Sequence, residues 1–397
     1  MPAPLQNVPF RHLWAAHMTS GCGAQVSRMA AILFLFHHQN DIREIAVFVV
    51  AATLPGIMTA VVAGAVIDRS NKRTVMLLAE GVRIAAAAAI LAWPQASTIY
   101  AAAVLSSVAS AFFEPARAAC VPLLVERPDR SAANGFDQIL VGIVMLVGPI
   151  AGANIFLAAG LAGAVTADLA LRAIALLFLL ALPASRLEPR ERTSETTIAA
   201  IRDGWTYIAA HGTSMYAVLL VAVSIFCVTL WIPIAPLHLH LLFADADRIL
   251  SLHTGLFGIG ALIGGLAAPR VLRWAGSGVA FFCGLALEAI ALVSYSQVRA
   301  MPLSMAVCLC WGICVSLTLV AYYVLIQELV GSDFLGRVLA FAQQGEGVAT
   351  VASMALAAVL FRLMSAQKIL FFAGIVYLAI VSFSAATRTG MQLLRTR

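Results

Sequence analysis

Residues 213–242 read TSMYAVLLVAVSIFCVTLWIPIAPLHLHLL, thirty consecutive positions without a lysine, arginine, aspartate or glutamate. A run of that length crosses the roughly 30 Å hydrocarbon core of a bilayer as a helix, with residues to spare for tilt. Strands of a membrane barrel instead alternate over about ten residues. In hydrocarbon every backbone N–H needs a partner, which a helix supplies locally. Working outward, further apolar runs fall at about 12–36, 44–67, 74–93, 98–119, 137–157, 161–182, 251–272, 277–296, 303–326, 338–362 and 369–387. The chain is 62% apolar and only 11% charged, with a mean hydropathy of +0.95. So little polar surface cannot cover a globule, which excludes a soluble enzyme, a nucleic-acid binder and a disordered chain. The 397 residues hold about twelve span-plus-loop units once one polar stretch is set aside. The expected fold is an all-α polytopic membrane protein.

Basic residues orient it. With the N-terminus inside, 17 of the 25 lysines and arginines fall on cytoplasmic segments, 5 on outer loops, and Arg28, Arg83 and Arg172 inside spans. This follows the positive-inside rule. Both termini are expected in the cytoplasm, in the inner membrane of a bacterium. The net charge of +6 is thus a topological signal, scattered over short segments, and not a nucleic-acid surface. The seven cysteines contain no C-x-x-C pair; Cys310 and Cys314 share a helix face and are read as packing residues.

Residues 183–212 form the one long polar stretch and separate an N-terminal six-helix bundle, 1–182, from a C-terminal one, 213–397. Within it Ile198, Ile201, Trp205 and Ile208 recur at helical spacing, so an amphipathic helix on the cytoplasmic membrane surface is expected. The halves echo each other. Gly64-x3-Asp68-Arg69-x2-Lys72-Arg73 follows the second span, and Gly265-x3-Pro269-Arg270-x2-Arg273 follows the eighth, 201 positions later. Parallel six-span repeats are a transporter architecture with the substrate site where the repeats meet.

The string Gly64-Ala-Val-Ile-Asp68-Arg69-Ser-Asn-Lys72-Arg73 resembles the loop signature of the major facilitator superfamily. Phe10-Arg11-His12-Leu13-Trp14, Phe113-Glu114-Pro115-Ala116-Arg117, Ala132-Ala133-Asn134-Gly135, Gly148-Pro149 and Gln327…Gly336-Arg337-Val338 follow in order. Together they resemble the drug:proton antiporter subgroup of macrolide-efflux and siderophore-export proteins. The resemblance covers the whole chain and implies twelve transmembrane helices in two bundles around an alternating central cavity. It also implies a conformational gate at Gly64, Asp68, Arg69 and Arg73. There Asp68 would meet the positive N-terminal end of helix 11, Arg69 and Arg73 would meet headgroups or partner carboxylates, and Gly64 would permit close helix approach. Two departures stand out: residues 98–113 contain no arginine, where well-studied members carry one, and Pro269 replaces the acid in the second loop.

Charges inside spans cost at least about 2.5 kcal/mol by insertion scales, so each needs a partner or a role. Gln25 and Arg28 on helix 1 are the substrate-cavity candidates. Arg28 either holds an anionic group of the substrate or pairs with Asp168, which also stands four residues before Arg172. Glu346 on helix 11 is the proton-coupling candidate, because desolvation and neighbouring charges tune a carboxyl. Asp137, Gln138 and Gln343 are expected at polar helix interfaces. Glu288 is expected to be structural, Glu114 and Arg117 to form a local ion pair, and His238 and His240 to face an aqueous mouth.

Neither catalytic constellation, nor phosphate loop, nor metal-ligand spacing is found, so no cofactor and no enzymatic activity are expected. The expected partners are a small-molecule substrate, a proton gradient and membrane lipids, with the protein a monomer. The reading is a secondary-active exporter of drugs or siderophore-like metabolites. A lipid or lysophospholipid flippase of the same superfamily is the alternative, and an intramembrane enzyme the remote one.

Overall fold

A computed structural model describes residues 6–39, 42–126, 130–188, 202, 205–207, 209–330 and 332–395. They are almost wholly helical, with no strand among them. The first unit, Met1–Thr197, contains α1 (Val8–Gln39), α2 (Ile42–Arg69), α3 (Lys72–Ala92), α4 (Ala96–Leu124) and α5 (Arg130–Leu180). The second, Ile198–Arg397, contains α6 (Gly212–Thr229), α7 (Trp231–His240), α8 (Ala246–Ala275), α9 (Ser277–Gln297), α10 (Met301–Leu329), α11 (Ser332–Leu360), α12 (Ala366–Ala386) and α13 (Arg388–Leu394).

Two elements differ from a simple count of spans. α5 joins the fifth and sixth spans and is broken only at Gly160, whose φ of 66° and ψ of −167° lie where little but glycine is found. Nothing crowds this residue, so its backbone angle alone demands glycine. Gly160→Ala is expected to cost about 1–3 kcal/mol, read as a lowered melting temperature of the purified protein. Conversely, α6 and α7 divide the seventh span at Leu230, and α7 continues as a helix past Pro233 and Pro236. His238 is therefore 4% exposed beside the Tyr295 ring, not at an aqueous mouth, while His240 Nε2 lies 2.9 Å from Asp247 Oδ1. The helix persists because a proline in a helix's first turn removes no intrahelical bond, and α7 tolerates the second.

Nine helices among the described residues are long and apolar enough to cross a membrane. α1 and α11 are not among them, because Gln25 and Arg28 dilute one and Gln343, Gln344 and Glu346 the other. Glycines set a close crossing in the second unit. A Cβ at Gly260, Gly264 or Gly312 would collide with the backbone of Leu309, Ile313 or Phe257, so α8 and α10 meet backbone to backbone.

The loop signature is tied down within the first unit. Asn71 caps α3 by accepting from the Arg73 N–H at 3.0 Å, and its amide donates to the Ala184 carbonyl at 2.9 Å. Arg73 donates to the carbonyls of Leu179 and Leu180, the open end of α5. Its partners are backbone carbonyls, not the headgroups or carboxylates expected. Arg69 is exposed and Gly64 half-buried on α2. The side chains of Asp68, Gly336 and Arg337 lie outside the described residues, as do those of Asp137 and Gln138. Of the polar stretch, residues 189–201 also lie outside them. Trp205 and Tyr207 place their rings 5.4 Å from Phe341 and 4.6 Å from Phe334, so this part of the linker rests on α11.

Candidate functional site

A polar junction lies inside the first unit. Glu80, at the centre of α3, is 0% exposed. Its carboxylate accepts from Ser20 of α1, at 3.0 Å to each oxygen, from Arg83 one turn along at 3.2 Å, and from Arg172 of α5 at 3.3 Å. Arg172 also brings Nε within 2.8 Å of Asp168 Oδ1, a close ion pair whose N–H is not aligned as a hydrogen bond. Asp168 in turn accepts from Ser27 at 2.8 Å. Arg83 donates to Ser110 of α4 at 2.8 Å and lies 4.5 Å over the Phe113 ring. Buried charges are tolerated when each is paired and hydrogen-bonded, and here two arginines and two carboxylates are.

Arg28 stands apart. A cavity of about 190 Å³ is lined by Arg28, Ser27, Ser106, Ser107, Ser110, Arg83, Asp168 and Arg172, with apolar walls from α2, α3 and α4. A second, of about 150 Å³, adjoins toward the start of α1, between His17, Ser20 and Glu114, and shares Ala24, Arg83, Ser106, Ser110 and Arg172. Among the described residues no ion pair or hydrogen bond engages the Arg28 guanidinium, because Arg172 and Ser27 already occupy Asp168. Of the two roles open to Arg28, the pair with Asp168 is not formed. Three arginines against two carboxylates leave the site one positive charge in excess. Such a cavity can orient one anionic group on a polar organic molecule, with serine hydroxyls for its other atoms.

The other candidates fall elsewhere. Gln25 lies on α1 against Gly148 of α5, its amide 3.4 Å from Met145 Sδ, and does not line the Arg28 cavity. Glu346 is half-buried on α11, near Tyr322 and Tyr323 of α10, and Gln343 is exposed a turn away. Glu114 and Arg117 form their expected ion pair at 3.1 Å, with His17 3.7 Å from the same carboxylate. Two buried groups escaped the sequence reading: Glu80, and His253 of α8, held between the hydroxyls of Tyr295 and Ser304 at 3.1 and 3.0 Å. Glu80 and Arg83, three apart inside an apolar span, were the available signal.

Helices long and apolar enough to cross a membrane, around a small polar cavity, define a polytopic membrane protein. The chain belongs to the major facilitator superfamily, whose sequence profile matches residues 13–354. It is therefore a multi-pass membrane transporter. Among solved structures, the nucleoside transporter NupG is similar at a TM-score of 0.77 and 13% identity, over 97% of this chain and 99% of that one. A POT peptide transporter in complex with alafosfalin gives 0.78 at 10% identity, over 97% and 95%. An auto-inhibited POT family peptide transporter gives 0.77 at 11%, over 99% and 97%. At such identities the likeness is one of fold. No curated protein is similar enough to count as a match.

Proposed function

We propose that the protein is a secondary-active exporter of a small organic molecule carrying one anionic group, a drug or siderophore-like metabolite. The observation that carries this reading is Arg28, a guanidinium without a partner among the described residues, facing a serine-lined cavity whose other charges cancel. The names of the fold neighbours, a nucleoside transporter and peptide transporters, suit polar organic cargo of comparable size. The six-span halves on either side of 183–212 are the bodies that rock, and Gly64, Asp68, Arg69 and Arg73 are the gate. Arg73 supports the gate by fastening the start of α3 to the end of α5.

Glu346 is the proposed coupling group. Glu346→Gln is expected to abolish acceleration by a pH gradient in reconstituted vesicles while leaving exchange of labelled for unlabelled cargo intact. Unaltered pH-driven transport removes it from that role. The export reading is tested by comparing metabolites in the medium of a strain with and without the gene. An anionic organic compound is expected to disappear from the medium and accumulate in the cells of the deletion strain. An unchanged medium sinks the reading.

A further inference from the structure

The second unit contains a junction built like that of Glu80 but without its cations. Counted on the 201-residue repeat, Glu288 of α9 lies seven residues beyond the counterpart of Glu80, two helical turns along and on the same face. Glu80 reaches α1 through Ser20, α4 through Arg83 and Ser110, and α5 through Arg172. Glu288 reaches the corresponding helices, α6 through Ser224, α10 through Thr318 and α12 through Tyr377. Where the first unit places two arginines, the second places hydroxyls alone.

The geometry at Glu288 is lopsided. Oε2 accepts from Ser224 at 2.7 Å and from Tyr377 at 3.0 Å, whereas Oε1 accepts from nothing and is shut off from solvent. Glu288 is 1% exposed and forms no ion pair among the described residues. Two bonds to one oxygen and none to the other is the pattern of a carboxylic acid, with Oε2 the carbonyl and Oε1 the hydroxyl. Thr318 of α10 stands beside the carboxyl, with its own hydroxyl donating to the Cys314 carbonyl at 2.9 Å. Among the described residues, the other titratable groups facing the site are the thiols of Cys227 on α6 and Cys314 on α10. α8 brings His253 to α9 only at Tyr295, two turns away, and α13 meets α9 at Gly278, near its opposite end.

We infer that Glu288 is a proton-binding site of the second unit, holding one proton on Oε1 at a four-helix junction. Uptake joins one proton from water to the carboxylate; release returns it to water once the helices part and admit it. The site is separate from Glu346 and does not rest on the transport reading, since its occupancy is read without cargo.

Infrared spectroscopy of the full chain in lipid vesicles at neutral pH tests it. Wild-type protein is expected to show a protonated carboxylic-acid carbonyl band that shifts in heavy water. The band is expected to vanish in Glu288→Gln, persist in Glu346→Gln, and be indifferent to sodium. Tyr377→Phe keeps the acid but removes one donor to its carbonyl, so it should move the band to higher frequency without deleting it. Absence of the band from wild type, its survival in Glu288→Gln, its loss with sodium or an unmoved band in Tyr377→Phe overturns the assignment.

Discussion

Glu80→Gln is expected to destabilise the protein by about 3–5 kcal/mol, the cost of removing one member of a buried charge set and stranding the others. Among the described residues Glu80 alone bonds both Arg83 and Arg172, and it is the acceptor for Ser20. The amide offers an oxygen to one guanidinium and turns an N–H toward the other, while two positive charges remain against Asp168 alone. Thermal unfolding of the purified protein in detergent should show the loss. The double variant Glu80→Gln/Arg172→Gln should lose less than the two single losses added together, because it restores the charge balance. Additive losses would mean that the glutamate and arginine are not coupled.

Arg28→Gln is expected to do the opposite to stability and far more to binding. Since no carboxylate among the described residues pairs with Arg28, removing its charge relieves an unpaired cation and should leave the melting temperature unchanged or higher. Truncating one partner of a buried, hydrogen-bonded charge pair costs about 2–5 kcal/mol. Affinity for the exported anion should therefore fall by about 30- to 4,000-fold. Arg28→Lys, which keeps the charge but not the fork of donors, should retain part of it. Titration with the compound identified from the deletion strain, following the wild-type melting temperature upward, measures both effects together. Unchanged affinity in Arg28→Gln would remove Arg28 from the cargo site.

Much of the architecture is legible along the chain because a bilayer imposes a rule that acts residue by residue. The apolar run at 213–242 gives its span directly, and the break near 160 falls between two apolar runs. What was hidden depends on which helix stands next to which. Arg28 has two open roles in the sequence, a cargo contact or a pair with Asp168, and only the packing of α5 against α1, which gives Asp168 to Arg172 and Ser27, decides between them. Glu80 is hidden in the sequence because Arg83 is local but Ser20 and Arg172 lie 60 and 92 positions away. Glu288 was correctly placed inside its bundle, yet the hydroxyls around it come from three other helices that no local pattern links. His238 is turned into the bundle, not toward water, because α7 begins anew after Leu230 and stays helical past Pro233 and Pro236.

The central claim is gradient-driven movement of an anionic organic molecule through this chain. Its most direct test is flux of the compound lost from the deletion strain's medium, across vesicles containing only the purified protein, with and without an imposed pH gradient. Protein-dependent flux is expected, accelerated by the gradient and removed by Arg28→Gln. Flux equal to that of protein-free vesicles, or flux that Arg28→Gln leaves intact, would contradict it.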